Sequence, residues 1–127
     1  MLAKYVAMNW MDGNGNPAGG TVEGNGIHII WQNGPLGRTP NRVDPNGAFV
    51  ETIIDIARQR LEFYQNTKFA CDENALAIHA LKEALEILHE RTARREAAGI
   101  EGTHVEEEYC EECEKYVSWH KTVGCVK

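Results

Sequence analysis

The side chains best equipped to hold a ligand are three arginines in one short stretch, Arg91, Arg94 and Arg95. On one reading they complement the negative pole at a helix end and form solvated pairs with Glu90 and Glu96. On the other they are an anion clamp. Arg91 and Arg95 stand four positions apart, so on a helix their guanidinium groups share a face and can grip a pyrophosphate through forked hydrogen bonds. Asn74 either ties down the segment between Tyr64 and Phe69 or uses its one acceptor and two donors to read an adenine edge. Tyr64 and Phe69 themselves are either plugs of a helical bend or a platform on which a base stacks.

A second constellation is Cys110, Cys113, His120 and Cys125, spaced C-x2-C-x6-H-x4-C. Four soft ligands in so short a stretch suit a tetrahedral structural zinc, which would order a tail with little core of its own; reduced, unligated thiols are the alternative. The spacing resembles a zinc knuckle with a lengthened middle spacer. Four protein ligands leave no open position for catalysis. A small zinc-stabilised regulatory or protein-interaction module is therefore the second functional class to weigh. Cys71 has no histidine at a spacing that would make it a nucleophile, and His79 and His89, ten positions apart, do not share a helical face. No phosphate loop, nucleophile elbow or persuasive carboxylate pair occurs, and an enzyme is not expected.

These groups must be carried by a chain of 127 residues and 14.2 kDa, the size of one ordinary domain. Thirteen Lys and Arg against nineteen Asp and Glu leave a net charge of −6, which argues against a broad footprint on duplex nucleic acid. Any anionic ligand must then be met by a local cluster. No apolar run is long enough to span a membrane, and the first ten residues carry Lys4 and Asn9, so a cytoplasmic protein without a cleaved leader is expected.

The chain reads as an α+β domain: antiparallel strands at the N-terminus, packed with a long antiparallel two-helix hairpin, and a short Cys-rich tail. Strands and loops fill residues 1–47. Residues 2–10 alternate as a strand, residues 12–26 are Gly-, Asn- and Pro-rich turns around a small strand at Thr21, Val22 and Glu23, and residues 27–32 form a further strand. Three prolines and three glycines within residues 33–47 exclude helix. The hairpin occupies residues 48–99. Asp44 or Asn46 is placed to cap a first helix over residues 48–65, striped by Val50, Ile53, Ile54, Ala57, Leu61 and Tyr64. A second helix starts near Cys71, carries Ile78, Leu81, Leu85 and Leu88 as its stripe, and closes at Gly99. Leu76, Ala80 and Ile87 widen that stripe beyond the need of one partner helix, which favours self-association or packing on the strands. Residues 100–127 form the tail, with a strand-like alternation over residues 116–120.

Several ordered motifs resemble a known family. They are Gln32-Asn33-Gly34-Pro35 after a strand, Asn46-Gly47 opening a helix, Arg60-Leu61 to Tyr64-Gln65, Phe69-Ala70-Cys71-Asp72-Glu73-Asn74-Ala75-Leu76-Ala77, and Glu90-Arg91-Thr92 to Gly99-Ile100-Glu101-Gly102-Thr103-His104. Together they look like the phage Thoeris anti-defence sponge family, whose hairpin is similar to that of the anti-CBASS cyclic-nucleotide sponge. The resemblance spans roughly residues 29–104. It implies a non-enzymatic phage protein, acting in the cytoplasm of the infected bacterium, that sequesters cyclic ADP-ribose isomers made by host TIR-domain proteins. In some relatives cyclic di- or trinucleotides are taken up as well. It further implies ligand contacts at Asn74, Arg91 and Arg95, with Tyr64 where an aromatic would stack on adenine. Asp72 stands where the family motif carries Arg, and both the Cys-rich tail and the Gly- and Asn-rich N-terminal stretch lie outside the pattern.

Distance along the helix constrains this picture. Asn74 and Arg91 are seventeen positions apart, roughly 25 Å at 1.5 Å per residue, beyond the reach of one compact cyclic nucleotide. If both touch one ligand, they come from different copies of the chain, and a homodimer or higher homo-oligomer with symmetry-related sites is expected.

Overall fold

The computed structural model describes residues 1–106, together with the backbone of residues 109, 110, 115 and 116. Three N-terminal strands, β1 (Tyr5–Met11), β2 (Pro17–Gly24) and β3 (Ile27–Trp31), form an antiparallel meander in the order β1-β2-β3. Two helices follow, α1 (Val50–Gln65) and α2 (Asp72–Ala97), and a minimal ladder pairs β4 (Tyr109–Cys110) with β5 (Lys115–Tyr116). The arrangement is α+β, as the sequence pattern indicates.

The largest departure in secondary structure is β2. Its residues include Gly19, Gly20 and Gly24, which read as turn chemistry, yet the strand runs for eight residues because neighbours on both sides complete its ladder. Pairing overrides propensity where both edges of a strand are satisfied. Gly20, the one buried residue among those described, faces Asn9 on one side and Trp31 on the other.

The connection from β3 to α1 is held by a reciprocal amide lock. Asn46 accepts from the Asn33 N–H at 2.8 Å and donates its amide to the Asn33 carbonyl at 2.9 Å, while its own N–H donates to Gln32 Oε1 at 2.8 Å. Asn46 therefore does not cap α1, and neither does Asp44. The helix begins two residues later than the pattern indicates, with Phe49 in the N-cap position and no side-chain cap. Ala48 is drawn against β3 instead, donating to the Ile30 carbonyl at 2.7 Å and accepting from Gln32 at 3.0 Å. Gly47 permits this: a Cβ there would lie 2.5 Å from the Trp31 carbonyl carbon.

The helical hairpin forms as its periodicity demands. Ile53, Ile54 and Leu61 of α1 and Ile78, Leu81, Leu85 and Leu88 of α2 lie half-buried along the contact. Gln65 closes the bend by donating to the Cys71 carbonyl at 3.0 Å while its Oε1 accepts the Cys71 N–H at 2.9 Å. At the far end, Gly99 (φ +75°) donates to the Glu96 carbonyl and Ile100 to the Arg95 carbonyl, the pair of bonds that ends a helix through a left-handed residue.

The strands are not packed beneath the hairpin. All seven residues of β1 are exposed, on both faces of the sheet, and so are Ile27 and Ile30 of β3. The sheet joins the helices through the β3 to α1 connection instead. Leu76 and Ile87 of α2 remain 69% and 64% exposed, so the apolar surface that widens the α2 stripe finds no cover among the described residues. No helix of the described residues is long and apolar enough to cross a membrane.

Candidate functional site

Arg91 and Arg95 project from the last turns of α2, where two concave surfaces of about 450 and 620 Å³ share them with Pro17, Thr103 and His104. Volumes of this order suit a small organic ligand. Arg91 is exposed and has no hydrogen bond or ion pair among the described residues. Arg95 is half-buried and already employed: its Nη2 donates to the carbonyls of Ile100, Thr103 and Val105 at 3.3, 3.1 and 3.0 Å. It thereby pins the segment after α2 against the helix, while its Nε and Nη1 make no hydrogen bond among the described residues. Arg94 lies beside the larger cavity, is half-buried and has a partner of its own.

The smaller cavity is walled by a polar clasp. Arg42 donates to both carboxylate oxygens of Glu101, at 2.6 and 3.2 Å, and Arg38 donates to the Glu101 carbonyl at 3.2 Å. The Gly37 N–H adds a backbone bond to the Gly102 carbonyl at 2.7 Å. The hydrogen-bonded Arg42 guanidinium holds the Glu101 carboxyl below its ordinary range. Glu101 in turn raises the pKa of Arg42. The segment bearing Thr103 and His104 is thus fixed from one side by Arg95 and from the other by Arg42. The sequence motif included Glu101 to His104 but gave no sign of Arg42, which sits in an aperiodic Pro- and Gly-rich loop.

Asn74 and Tyr64 lie at the opposite end of the hairpin. Asn74 is in the first turn of α2, half-buried, with its carboxamide making no hydrogen bond among the described residues. The role of fastening the bend, which Asn74 could have held, belongs to Gln65. Tyr64 is 36% exposed, and one face of its ring is taken by Arg60, whose guanidinium carbon is 4.9 Å from the Tyr64 centroid and 4.8 Å from that of Phe63. Arg60 Nε also donates to the Tyr64 hydroxyl at 3.2 Å. Arg60 thus orients the ring through both its face and its hydroxyl. Phe69 is 69% exposed and so plugs nothing among the described residues.

One uninterrupted helix separates these two ends, since α2 runs without a break through both Asn74 and Arg91. Within one chain, Arg91 and Arg95 line the same two cavities, whereas Asn74 and Tyr64 line neither and lie in the helical turns that flank the bend. Of the four residues considered for zinc, Cys113, His120 and Cys125 lie outside the described residues, as does the side chain of Cys110.

Residues 23–93 match the family described as Acb2/Tad1, hairpin domain. A curated relative, Thoeris anti-defense 1 of Bacillus phage SBSphiJ7, is 51% identical over 59 residues, covering 46% of this chain and 42% of the relative. The chain thus aligns with about two fifths of the length of that relative.

Proposed function

The chain belongs to the Acb2/Tad1 hairpin family, and on that premise we propose that it is a phage anti-defence protein that captures cyclic ADP-ribose isomers in the host cytoplasm without cleaving them. The observation that carries this reading is the arginine pair at one cavity wall: Arg91, unpartnered among the described residues, and Arg95, held in place by three carbonyls. Two positioned guanidinium groups on one helical face are suited to a pyrophosphate, and they need no general base to do so. The named relative is an anti-Thoeris protein, which supports the same assignment.

The base is met by a second copy of the chain. Asn74 reads its edge and Tyr64 stacks on its face; Asn74 in the first turn of α2 and Tyr64 in the last turn of α1 both lie at the bend of the hairpin, too far from Arg91 of the same chain to share its ligand. The exposed Leu76 and Ile87 on this helix supply apolar surface through which two copies associate, aligning the bend of one with the arginine end of the other. A two-fold axis then gives two equivalent sites. Enclosure at such an interface strips water from the ligand and strengthens its charged hydrogen bonds. Nanomolar capture corresponds to about −12 kcal/mol, within reach of a pocket whose walls are largely preformed. Cyclic di- and trinucleotides present similar phosphates and bases, and are secondary ligands on this reading.

Incubation with each isomer, removal of the unbound fraction and heat denaturation test the proposal. Recovery of unaltered ligand is expected. Chemically altered ligand would point to an enzyme, and no retention to a different function. Arg91→Ala should weaken capture by about a hundredfold or more, because it removes one partner of an enclosed charged pair. Asn74→Ala should also abolish retention at low concentration, with the oligomer intact in both cases.

A further inference from the structure

The arginine pair explains why an isomer of cyclic ADP-ribose would bind, but not how one isomer is chosen over another. Such isomers share the adenine and the pyrophosphate and differ in how their riboses are joined. Guanidinium groups that grip the pyrophosphate contribute almost equally to all of them, so selectivity needs a wall that meets the sugars with donors and acceptors.

The turn between β1 and β2 is placed to be that wall. Gly15, Asn16 and Pro17 line the larger cavity together with Arg91 and His104, and Pro17 lines the smaller one as well. The turn lies outside residues 23–93, the segment that matches the family, so this wall belongs to the chain and not to the shared hairpin. We propose that the turn from Asp12 to Asn16 is the specificity-determining wall of the capture site, with Asn16 as the residue that meets the ribose hydroxyls. This rests on the functional reading above.

The turn is rigid for a loop of this composition. Asp12 Oδ1 accepts the N–H groups of Asn14 and Asn16 at 2.8 and 3.0 Å, and Oδ2 accepts the Asn16 side-chain amide at 3.3 Å. The Asp12 N–H donates to the Asn16 carbonyl at 2.8 Å, and that of Gly15 to the Asp12 carbonyl at 3.2 Å. Asn16 is half-buried, and the bond from its amide to Asp12 leaves its Oδ1 without a protein partner among the described residues. A carboxamide fixed through its nitrogen and open at its oxygen accepts a hydroxyl in one position and not in another. The Asp12 carboxyl is held below its ordinary range, first by the Asn16 and Asn14 N–H groups that it accepts and in smaller part by His104, and the turn and the segment after α2 both line the larger cavity.

The test measures dissociation constants of the full-length protein for two cyclic ADP-ribose isomers that differ in ribose linkage, with inorganic pyrophosphate as a probe of the arginines alone. Asn16→Ala should change the ratio of the two constants by about tenfold, the scale of one hydrogen bond, while pyrophosphate binding stays as it is. Asp12→Ala, which releases the turn, should bring the ratio towards one. If it fails to fold, the Asn16 variant, altered in an exposed hairpin turn, still decides. Equal shifts for both isomers, or no shift, would overturn the assignment of the turn alone. Wild-type protein that retains neither isomer overturns the functional reading along with it.

Discussion

The two ends of α2 are built by different means. At its C-terminal end, Arg95 binds three carbonyls of the following segment, Arg42 and Arg38 hold Glu101 from outside, and the β1 to β2 turn closes a cavity against them. At its N-terminal end, Gln65 fastens the bend, Arg60 lies over the Tyr64 ring and Lys68 over that of Phe69, and no cavity wall like that at the arginine end is formed there by the described residues. One end is a walled, charged cavity. The other carries a carboxamide and aromatic rings. On the proposed reading, the length of α2 between them is why one chain cannot turn both ends on one ligand.

Mixing two disabled proteins is the strongest way to break that comparison. Arg91→Ala retains its bend end, and Asn74→Ala retains its arginine end, so each alone should be inert. A mixed pair has one site in which both defects coincide and one in which neither is present. Unfolding and refolding the two together should restore about half of the wild-type capacity per mixed dimer, as two-fold symmetry requires. Capacity that stays at the background of either variant would place both ends of the site within one chain. Ligand recovered by heat release, scored against the mass of the assembly, gives the answer.

A smaller effect is expected from the clasp. Glu101→Gln keeps the shape of the side chain but loses the charge that Arg42 grips, and should weaken capture by about tenfold through the loosened segment bearing His104. Because Glu101 titrates below its ordinary range in the folded protein, its contribution to stability is fully present above the ordinary glutamate pKa and is lost as pH falls through the lowered value. Unfolding followed between pH 5 and pH 3 should therefore show an acid-side loss that Glu101→Gln diminishes. An identical pH profile for both proteins would remove the clasp from the site.

The hairpin was readable in the sequence because its apolar residues recur with helical spacing and Gly99 ends it; periodicity needs no tertiary knowledge. The arginine pair was readable for the same reason, as spacing on a helix fixes which side chains share a face. What escaped is what depends on contacts between distant segments. Asn46 looks like a helix cap in a sequence, and only the approach of β3 turns it towards Asn33. Arg42 and Glu101, fifty-nine positions apart, carry no shared pattern. The glycines of β2 read as turns until both neighbouring strands are in place. Sheet and hairpin were expected to cover one another, yet the exposed faces of β1 show that apolar composition does not reveal which partner an element will bury against.

The smallest expected effect falls at the bend, and it sharpens the contrast between the two ends. Gln65→Ala removes both hydrogen bonds to Cys71, for a loss of stability of about 1–2 kcal/mol, visible as a melting temperature lower by a few degrees. Because the bend carries Asn74 and Tyr64 but not the arginines, the variant should lose some affinity for a base-containing ligand while binding of inorganic pyrophosphate holds. That split follows only if the two ends act as separate half-sites. A proportional loss for both probes would mean that α2 transmits disorder from the bend to Arg91, and the ends would then be one cooperative unit.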